Sequence, residues 1–162
     1  MRRISAVLAM TLLAVGCSGY STESLVDPKY QTVYVKTFDN QSFYRGFEQS
    51  LTREFINKLN ARTHLRIAPR DKADTIITGQ IADFRQQVLT EDLQDNVREL
   101  QITVTVDMTW TEAKSGKVIK AVRGLALSDS IKFDIGETLQ TTTPELFDDM
   151  AERLVEELEA PW

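Results

Sequence analysis

One cysteine, Cys17, and one histidine, His64, are all that this chain of 162 residues contains. A lone thiol cannot close an internal disulfide. Gly-x-Ser-x-Gly and His-Glu-x-x-His are both absent, which removes two common hydrolase signatures. Ser115-Gly116-Lys117 shares only its last residues with a phosphate-binding loop, whose opening glycine is missing. Long apolar runs are scarce too. The one present, Ile4 to Val15, is far shorter than the roughly 20 residues that cross a bilayer. Basic residues are outnumbered, 19 against 24 acidic, whereas a nucleic-acid binder is normally basic. No internal repeat and no low-complexity segment occurs.

What is present begins at the N-terminus. Arg2 and Arg3 precede the apolar run, Gly16 follows it, and Cys17 comes next. This is the layout of a signal peptide covering residues 1–16. Leu13-Ala14-Val15-Gly16-Cys17 resembles a bacterial lipobox, in which the cysteine thiol is joined to a diacylglycerol and becomes the mature N-terminus. Ala14 stands where that motif usually has leucine, with Leu13 one place earlier. The plain alternative is an ordinary secretory signal followed by a free thiol. Each buried methylene of an acyl chain contributes about 0.8 kcal/mol, so two or three chains anchor firmly. Ser18, in place of the aspartate that commonly retains lipoproteins in the inner membrane, favours the outer membrane and its periplasmic face. Cleavage takes the net charge from −5 to −7 and leaves 146 residues, enough for one domain with a real core.

Residues 17–30 read as the acylated cysteine and a polar tether, and 31–162 as a single domain. Thr32 to Phe38 is rich in β-branched and aromatic residues and predicts a strand. Phe47, Leu51, Phe55 and Leu59 recur every four residues and predict a helix from about Tyr44 to Asn60. Arg45, Glu48, Arg53 and Lys58 are available to its solvated side. Leu65–Ala68 is a short extended piece, stopped by Pro69. Thr75 to Leu89 predicts a long strand, bent or bulged at Gly79. From Leu100 to Trp110 alternation is strict, with Leu, Ile, Val, Val, Met and Trp on one face. Lys114-Ser115-Gly116-Lys117 is a turn into a strand from Val118 to Leu127. Ser128 to Gln140 fits either strand or loop.

The last helix is capped by Thr143, opens on Pro144, and carries Leu146, Phe147, Met150, Ala151, Leu154, Val155 and Leu158 on one face. Glu156, Glu157 and Glu159 oppose its dipole, for no reason visible in the sequence. The order β-α-β-β-β-α predicts an α+β two-layer sandwich, with two amphipathic helices on a mainly antiparallel four-stranded sheet.

Candidate binding residues are few. Arg62, His64, Arg66, Arg70 and Lys72 fall within eleven residues of an otherwise acidic chain. A compact basic patch of Arg62, Arg66, Arg70 and Lys72 could meet phosphates such as those of lipid A. The competing account is a solvated helix end and loop, diluted by Asp71 and Asp74. His64 reads as a solvated turn residue. Glu91, Asp92 and Asp95 lack EF-hand spacing, so their loop reads as a hydrated hairpin tip rather than a calcium site. No cofactor, resident metal or catalytic set is expected.

Several segments carry a family resemblance. Gly19-Tyr20 soon after Cys17, Thr32-Val-Tyr-Val-Lys-Thr-Phe-Asp-Asn-Gln-Ser-Phe43, Gly46-Phe-Glu-Gln-Ser-Leu-Thr52 and Ala73-Asp-Thr-Ile-Ile-Thr-Gly79 resemble the LptE family of lipopolysaccharide-assembly lipoproteins. Trp110 and the Lys114–Lys117 hairpin fit as well. The resemblance implies a non-enzymatic outer-membrane lipoprotein that plugs the lumen of an LptD-type β-barrel, aids its assembly and binds lipopolysaccharide in transit. Curli-secretion and penicillin-binding-protein-activator lipoproteins share the order of motifs. They supply the alternative, a lipoprotein of a secretion assembly or a cell-wall-synthase activator acting by protein–protein contact.

Overall fold

The alternating residues of the Leu100–Trp110 segment form the spine of the sheet. In the computed structural model, which describes residues 26–91, 97–132 and 143–159, they lie in strand β5, Val97–Glu112. Leu100, Ile102, Val104, Val106, Met108 and Trp110 are all buried, while Gln101, Thr103, Thr105, Asp107 and Thr109 keep partial exposure. One pleated face therefore meets a core and the other meets solvent.

Around β5 stand β1 (Thr32–Val35), β2 (Asp39–Asn40), α1 (Phe47–Arg62), β3 (Arg66–Ile67), β4 (Thr75–Glu91), β6 (Val118–Lys132) and α2 (Pro144–Glu159). The sheet runs β3-β1-β4-β5-β6, with β2 joined to β4. β4, β5 and β6 are an antiparallel meander, as hairpin order predicts. β1 departs from the expected pattern: it lies parallel to both β4 and β3. The sheet is thus mixed and six-stranded, not mainly antiparallel and four-stranded. The cause is α1. A chain that leaves a strand, crosses one face as a helix and returns must re-enter the sheet parallel to the strand it left.

The first predicted strand is also interrupted. β1 ends at Val35, and Phe38 turns its ring inward, 2 % exposed, before β2 resumes pairing with β4. The Phe38 N–H donates to Thr52 Oγ1 of α1 at 2.9 Å, which fixes this step against the helix. Gly79 sits opposite. A Cβ there would lie 2.9 Å from the Phe38 ring and 3.1 Å from the Asp107 carbonyl oxygen. Pairing is regular at Gly79, and the register instead slips between Ile81 and Asp83. The glycine makes room for the ring; the bend expected there lies farther along the strand.

α1 starts at Phe47, three residues later than Tyr44, because Gly46 takes φ 92° and breaks the helical path. Glu48 secures the start. Its carboxylate accepts Asn40 Nδ2 at 2.9 Å and the Gly46 N–H at 3.1 Å, contacts that hold its pKa below the ordinary value. At α2, the Phe147 N–H donates to the Thr143 carbonyl at 3.2 Å, placing Thr143 at the N-cap and Pro144 in the first turn. All seven apolar residues read onto its inner face are buried. Phe47 and Phe147 meet edge to face, 5.1 Å between ring centres, near the N-terminal ends of the two helices. The helices therefore run parallel. Both pack on the face of the sheet carrying the even-numbered residues of β5.

The packed domain begins before residue 31. Val26 and Tyr30 are buried, and Tyr30 packs edge-on against Trp110 with ring centres 5.7 Å apart, so this end of the predicted tether belongs to the core. Ser128–Lys132 continue β6, which resolves the near part of the ambiguous segment. Its remainder, 133–140, lies outside the described residues, as do the signal peptide, Cys17, Asp92 and Asp95. Among the described residues no helix is long and apolar enough to cross a membrane.

Candidate functional site

Two surfaces remain once the core is accounted for: a basic pole and the open face of the sheet. The pole is built around Asp74. Its Oδ2 accepts the N–H of Gln31 at 3.1 Å, the N–H of Thr32 at 3.0 Å and the Thr32 hydroxyl at 2.8 Å. Its carbonyl oxygen accepts the Ala113 N–H at 2.8 Å. One residue thus ties the start of β1, the start of β4 and the end of β5 together. The Thr32 hydroxyl, followed by the backbone N–H groups, holds the Asp74 carboxyl below its ordinary pKa of 3.8. His64 joins the pole from the end of α1, with Nε2 2.9 Å from the Tyr30 carbonyl oxygen. A carbonyl only accepts, so Nε2 is the donor. The ring is otherwise exposed, in keeping with a turn residue.

This junction gathers cations that are distant in sequence. Arg66 pairs in register with Thr32 on the edge strand β3. Arg70 and Lys72 follow in the loop before β4, and the Lys72 carbonyl lies 3.4 Å from the Thr32 hydroxyl. Lys114 and Lys117 stand on the β5–β6 turn, where Gly116 adopts φ 70°. All five side chains are exposed. Lys29 pairs with Asp27 at 3.2 Å. Lys29, Lys117, Tyr30, Val118 and Ile119 line a cavity of about 360 Å³ beside Trp110. Trp110 Nε1 is buried without a hydrogen-bond partner among the described residues.

Arg62 does not belong to this pole. Its guanidinium lies 3.1 Å from Glu152, 3.5 Å from Glu156 and 3.3 Å from Glu159 of α2. Lys58 likewise bridges Asp148 at 2.8 Å and Glu152 at 3.1 Å, and is not simply solvated. These contacts hold the Lys58 ammonium above its ordinary pKa, Asp148 contributing most. Of the four cations proposed from sequence as phosphate contacts, Arg66, Arg70 and Lys72 stay together and Arg62 is consumed within the fold. Lys114 and Lys117 were missed. Their signal was the hairpin turn, but its partner loop is fixed only by the strand order.

The open face is of a different character. Thr78, Thr103, Thr105, Thr109 and Thr111, with Ala121, Ala126 and Ser128 beside them, follow the register opposite to the buried set. Thr103 and Ser128 hydroxyls meet across the β5–β6 ladder at 2.7 Å. Asp107 is one of the carboxylates in this band, with Asp83 opposite Thr105. Asp107 accepts the Gly124 N–H and Gln80 Nε2, each at 2.8 Å, and these bonds depress its pKa, the backbone donor foremost. Gly124, at φ 63°, sits where the β5–β6 register shifts. The face is broad and mostly polar, with Asp83 and Arg85 among its hydroxyls and Ile76 and Val118 beside Thr111 at one end.

Residues 30–160 match the family model described as LptE, lipopolysaccharide-assembly. The chain belongs to that family. The match covers every strand and helix from β1 through α2. No curated protein matches the chain. Solved structures share the fold at low identity. Lipoprotein B from Nitrosomonas europaea is 16% identical, covering 89% of this chain and 88% of that one, with a TM-score of 0.53. The PelC dodecamer from Paraburkholderia phytofirmans is 15% identical over 86% of this chain and 95% of its own, with a TM-score of 0.54. A minor lipoprotein from Acinetobacter baumannii is 15% identical, with coverages of 80% and 91% and a TM-score of 0.52. At these identities the likeness is one of fold.

Proposed function

We propose that this LptE-family chain is a lipid-anchored protein of the outer membrane, facing the periplasm. In this reading it sits in the lumen of an LptD-type β-barrel, supports assembly of that barrel and binds lipopolysaccharide on its way to the cell surface. The observation that carries the reading, beside the family match, is the open face of β4, β5 and β6. Lumens of large outer-membrane barrels are lined by polar side chains. A partner surface of that kind is best met by hydroxyls and amides, which can exchange hydrogen bonds with it. An aliphatic face would leave its polar groups unpaired. The role needs binding and positioning only, with no covalent step.

The test is a crosslinking series from the open face in intact cells. A photoreactive residue at Thr105 or Thr109 should yield a single large adduct with an outer-membrane barrel. A residue at Arg153, exposed on α2, supplies the comparison from the other side of the molecule. Adducts to a peptidoglycan synthase, or to further copies of the same chain from both positions, would overturn the barrel reading in favour of a synthase activator or a self-assembled ring.

A further inference from the structure

The basic pole coincides with the point where the N-terminal arm enters the domain. Tyr30 and Gln31 are part of it, through the His64 and Asp74 hydrogen bonds. Val26, the first described residue, is packed in the same core. Only residues 18–25 separate Val26 from Cys17. Fully extended, that segment reaches at most about 30 Å. A lipid on Cys17 therefore keeps Val26, where the arm enters the domain, within about 30 Å of the membrane surface.

The charge distribution matches that placement. The pole holds Lys29, Arg66, Arg70, Lys72, Lys114 and Lys117 against Asp27, Asp71, Asp74 and Glu112. Three of these acids are engaged: Asp27 by Lys29, Asp74 by Thr32 and Gln31, and Glu112 by the Ser115 hydroxyl. Arg66, Arg70, Lys72, Lys114 and Lys117 make no ion pair among the described residues. The carboxylates at the near end of α2 are turned to Arg62 and Lys120. The pole is thus net +2, while the remainder of the mature chain is −9.

We infer that this pole is a docking surface for the anionic phospholipid headgroups of the leaflet that holds the anchor, and that it fixes which end of the domain faces the membrane. The inference rests on the lipid-anchor reading of Cys17. Attraction of exposed lysines and arginines to an anionic surface is strong only within a Debye length, about 8 Å at physiological salt. The short tether confines the pole to a layer from which it can enter that range, and the attraction then holds it there. The acidic remainder is repelled by the same surface and held away from the headgroups. Val118, half exposed at the rim of the Tyr30 cavity, gives the pole an apolar edge as well.

The experiment uses the full mature lipidated protein in vesicles. With Cys17 acylated, Ser115→Cys provides the one reactive thiol for a fluorophore, and Thr90→Cys provides a reference near the other end of β4. Energy transfer to a headgroup-labelled lipid is compared in vesicles of phosphatidylcholine alone and with phosphatidylglycerol added. Transfer from position 115 should rise with phosphatidylglycerol and fall back in 1 M salt, while position 90 does not gain. Combining Arg70→Gln, Lys72→Gln, Lys114→Gln and Lys117→Gln should abolish the rise. In the unlipidated domain each neutralised cation should lower partitioning onto phosphatidylglycerol vesicles roughly fivefold. Equal transfer from position 115 in both vesicles overturns the proposal, as does a rise that survives the four substitutions. Mass spectrometry of the mature N-terminus separates the two readings: an unacylated Cys17 refutes the anchor, whereas an acylated Cys17 without the charge-dependent approach refutes the docking surface alone.

Discussion

Arg62 Nη2 lies 3.3 Å from Glu159 Oε2, joining the last turn of α1 to the last turn of α2. Because the helices are parallel, their negative dipole ends lie side by side, and each would repel the other. One guanidinium between them answers both, and it also collects Glu152 and Glu156. This accounts for Glu156 and Glu159, two of the three glutamates that oppose the α2 dipole; the third, Glu157, faces Lys120 of β6 at 4.0 Å.

Arg62→Ala should destabilise the domain by about 1–2 kcal/mol, more than truncation of a typical exposed ion pair, which costs 0.2–1 kcal/mol. Three glutamates lose their shared partner, and the side chain is about two-thirds covered. Arg62→Glu should cost more. Denaturant unfolding in low salt and in 1 M salt checks the origin: the gap between wild type and variant should narrow as salt screens the pairs. A gap that does not change with salt would mean that packing of the arginine stem, not charge, is what was lost.

Leu154→Ala tests the core between helix and sheet. Leu154 is fully buried on α2, within the core that the helices share with the sheet. The truncation should cost about 2–5 kcal/mol, seen as a lower denaturation midpoint with an unchanged slope. A near-zero cost would show that α2 can dock elsewhere on the domain.

Local periodicity made the faces of individual elements legible. The even-numbered residues from Leu100 to Trp110 and the seven apolar residues of α2 are buried as read, because alternation and helical spacing are set within one segment. Neighbours are another matter. Nothing in Thr32–Val35 says that it pairs with Thr75–Ile77 in parallel; that follows from the path of α1 across the sheet. The same limit split the basic cluster. Arg62 and Arg66 are four residues apart, yet the end of the helix sends one to α2 and the other to the sheet edge. Lys114 and Lys117 joined Arg70 and Lys72 only because β5 ends beside the start of β4. Cys17 remains a sequence inference, outside the described residues.

Acid should loosen the basic pole. The folded Asp74 carboxyl titrates below 3.8 because Thr32 and Gln31 donate to its charged form. A depressed folded pKa means that the unfolded chain binds the proton more readily. The stabilisation is therefore complete above the unfolded pKa, near 3.9, and disappears as pH falls through the lower folded value. Glu48 and Asp107 are shifted in the same direction and add to the same acid limb. Asp74→Asn should cost about 1–2 kcal/mol at neutral pH, in line with loss of hydrogen bonds to a charged acceptor. It should also flatten the fall in stability below pH 4. Melting curves of both proteins between pH 2 and 7 test this; parallel profiles would remove Asp74 from the acid response.

Gly79→Ala distinguishes a glycine kept for flexibility from one kept for space. Pairing is regular at this position, and no left-handed backbone requires glycine. A methyl group would meet two Phe38 ring carbons at 2.9 Å and the Asp107 carbonyl oxygen at 3.1 Å. The ring has little freedom to retreat, since it is 2 % exposed, packs 5.5 Å from the Phe55 ring, and follows a backbone N–H held by Thr52. Overpacking of this kind costs about 1–3 kcal/mol. Were flexibility the reason, alanine would instead stabilise a regular strand by restricting the unfolded chain. The double variant Gly79→Ala with Phe38→Leu decides between them. If the ring is the obstacle, the alanine penalty measured on the leucine background should shrink markedly; an undiminished penalty would place the conflict at the Asp107 carbonyl, which no side-chain change can move.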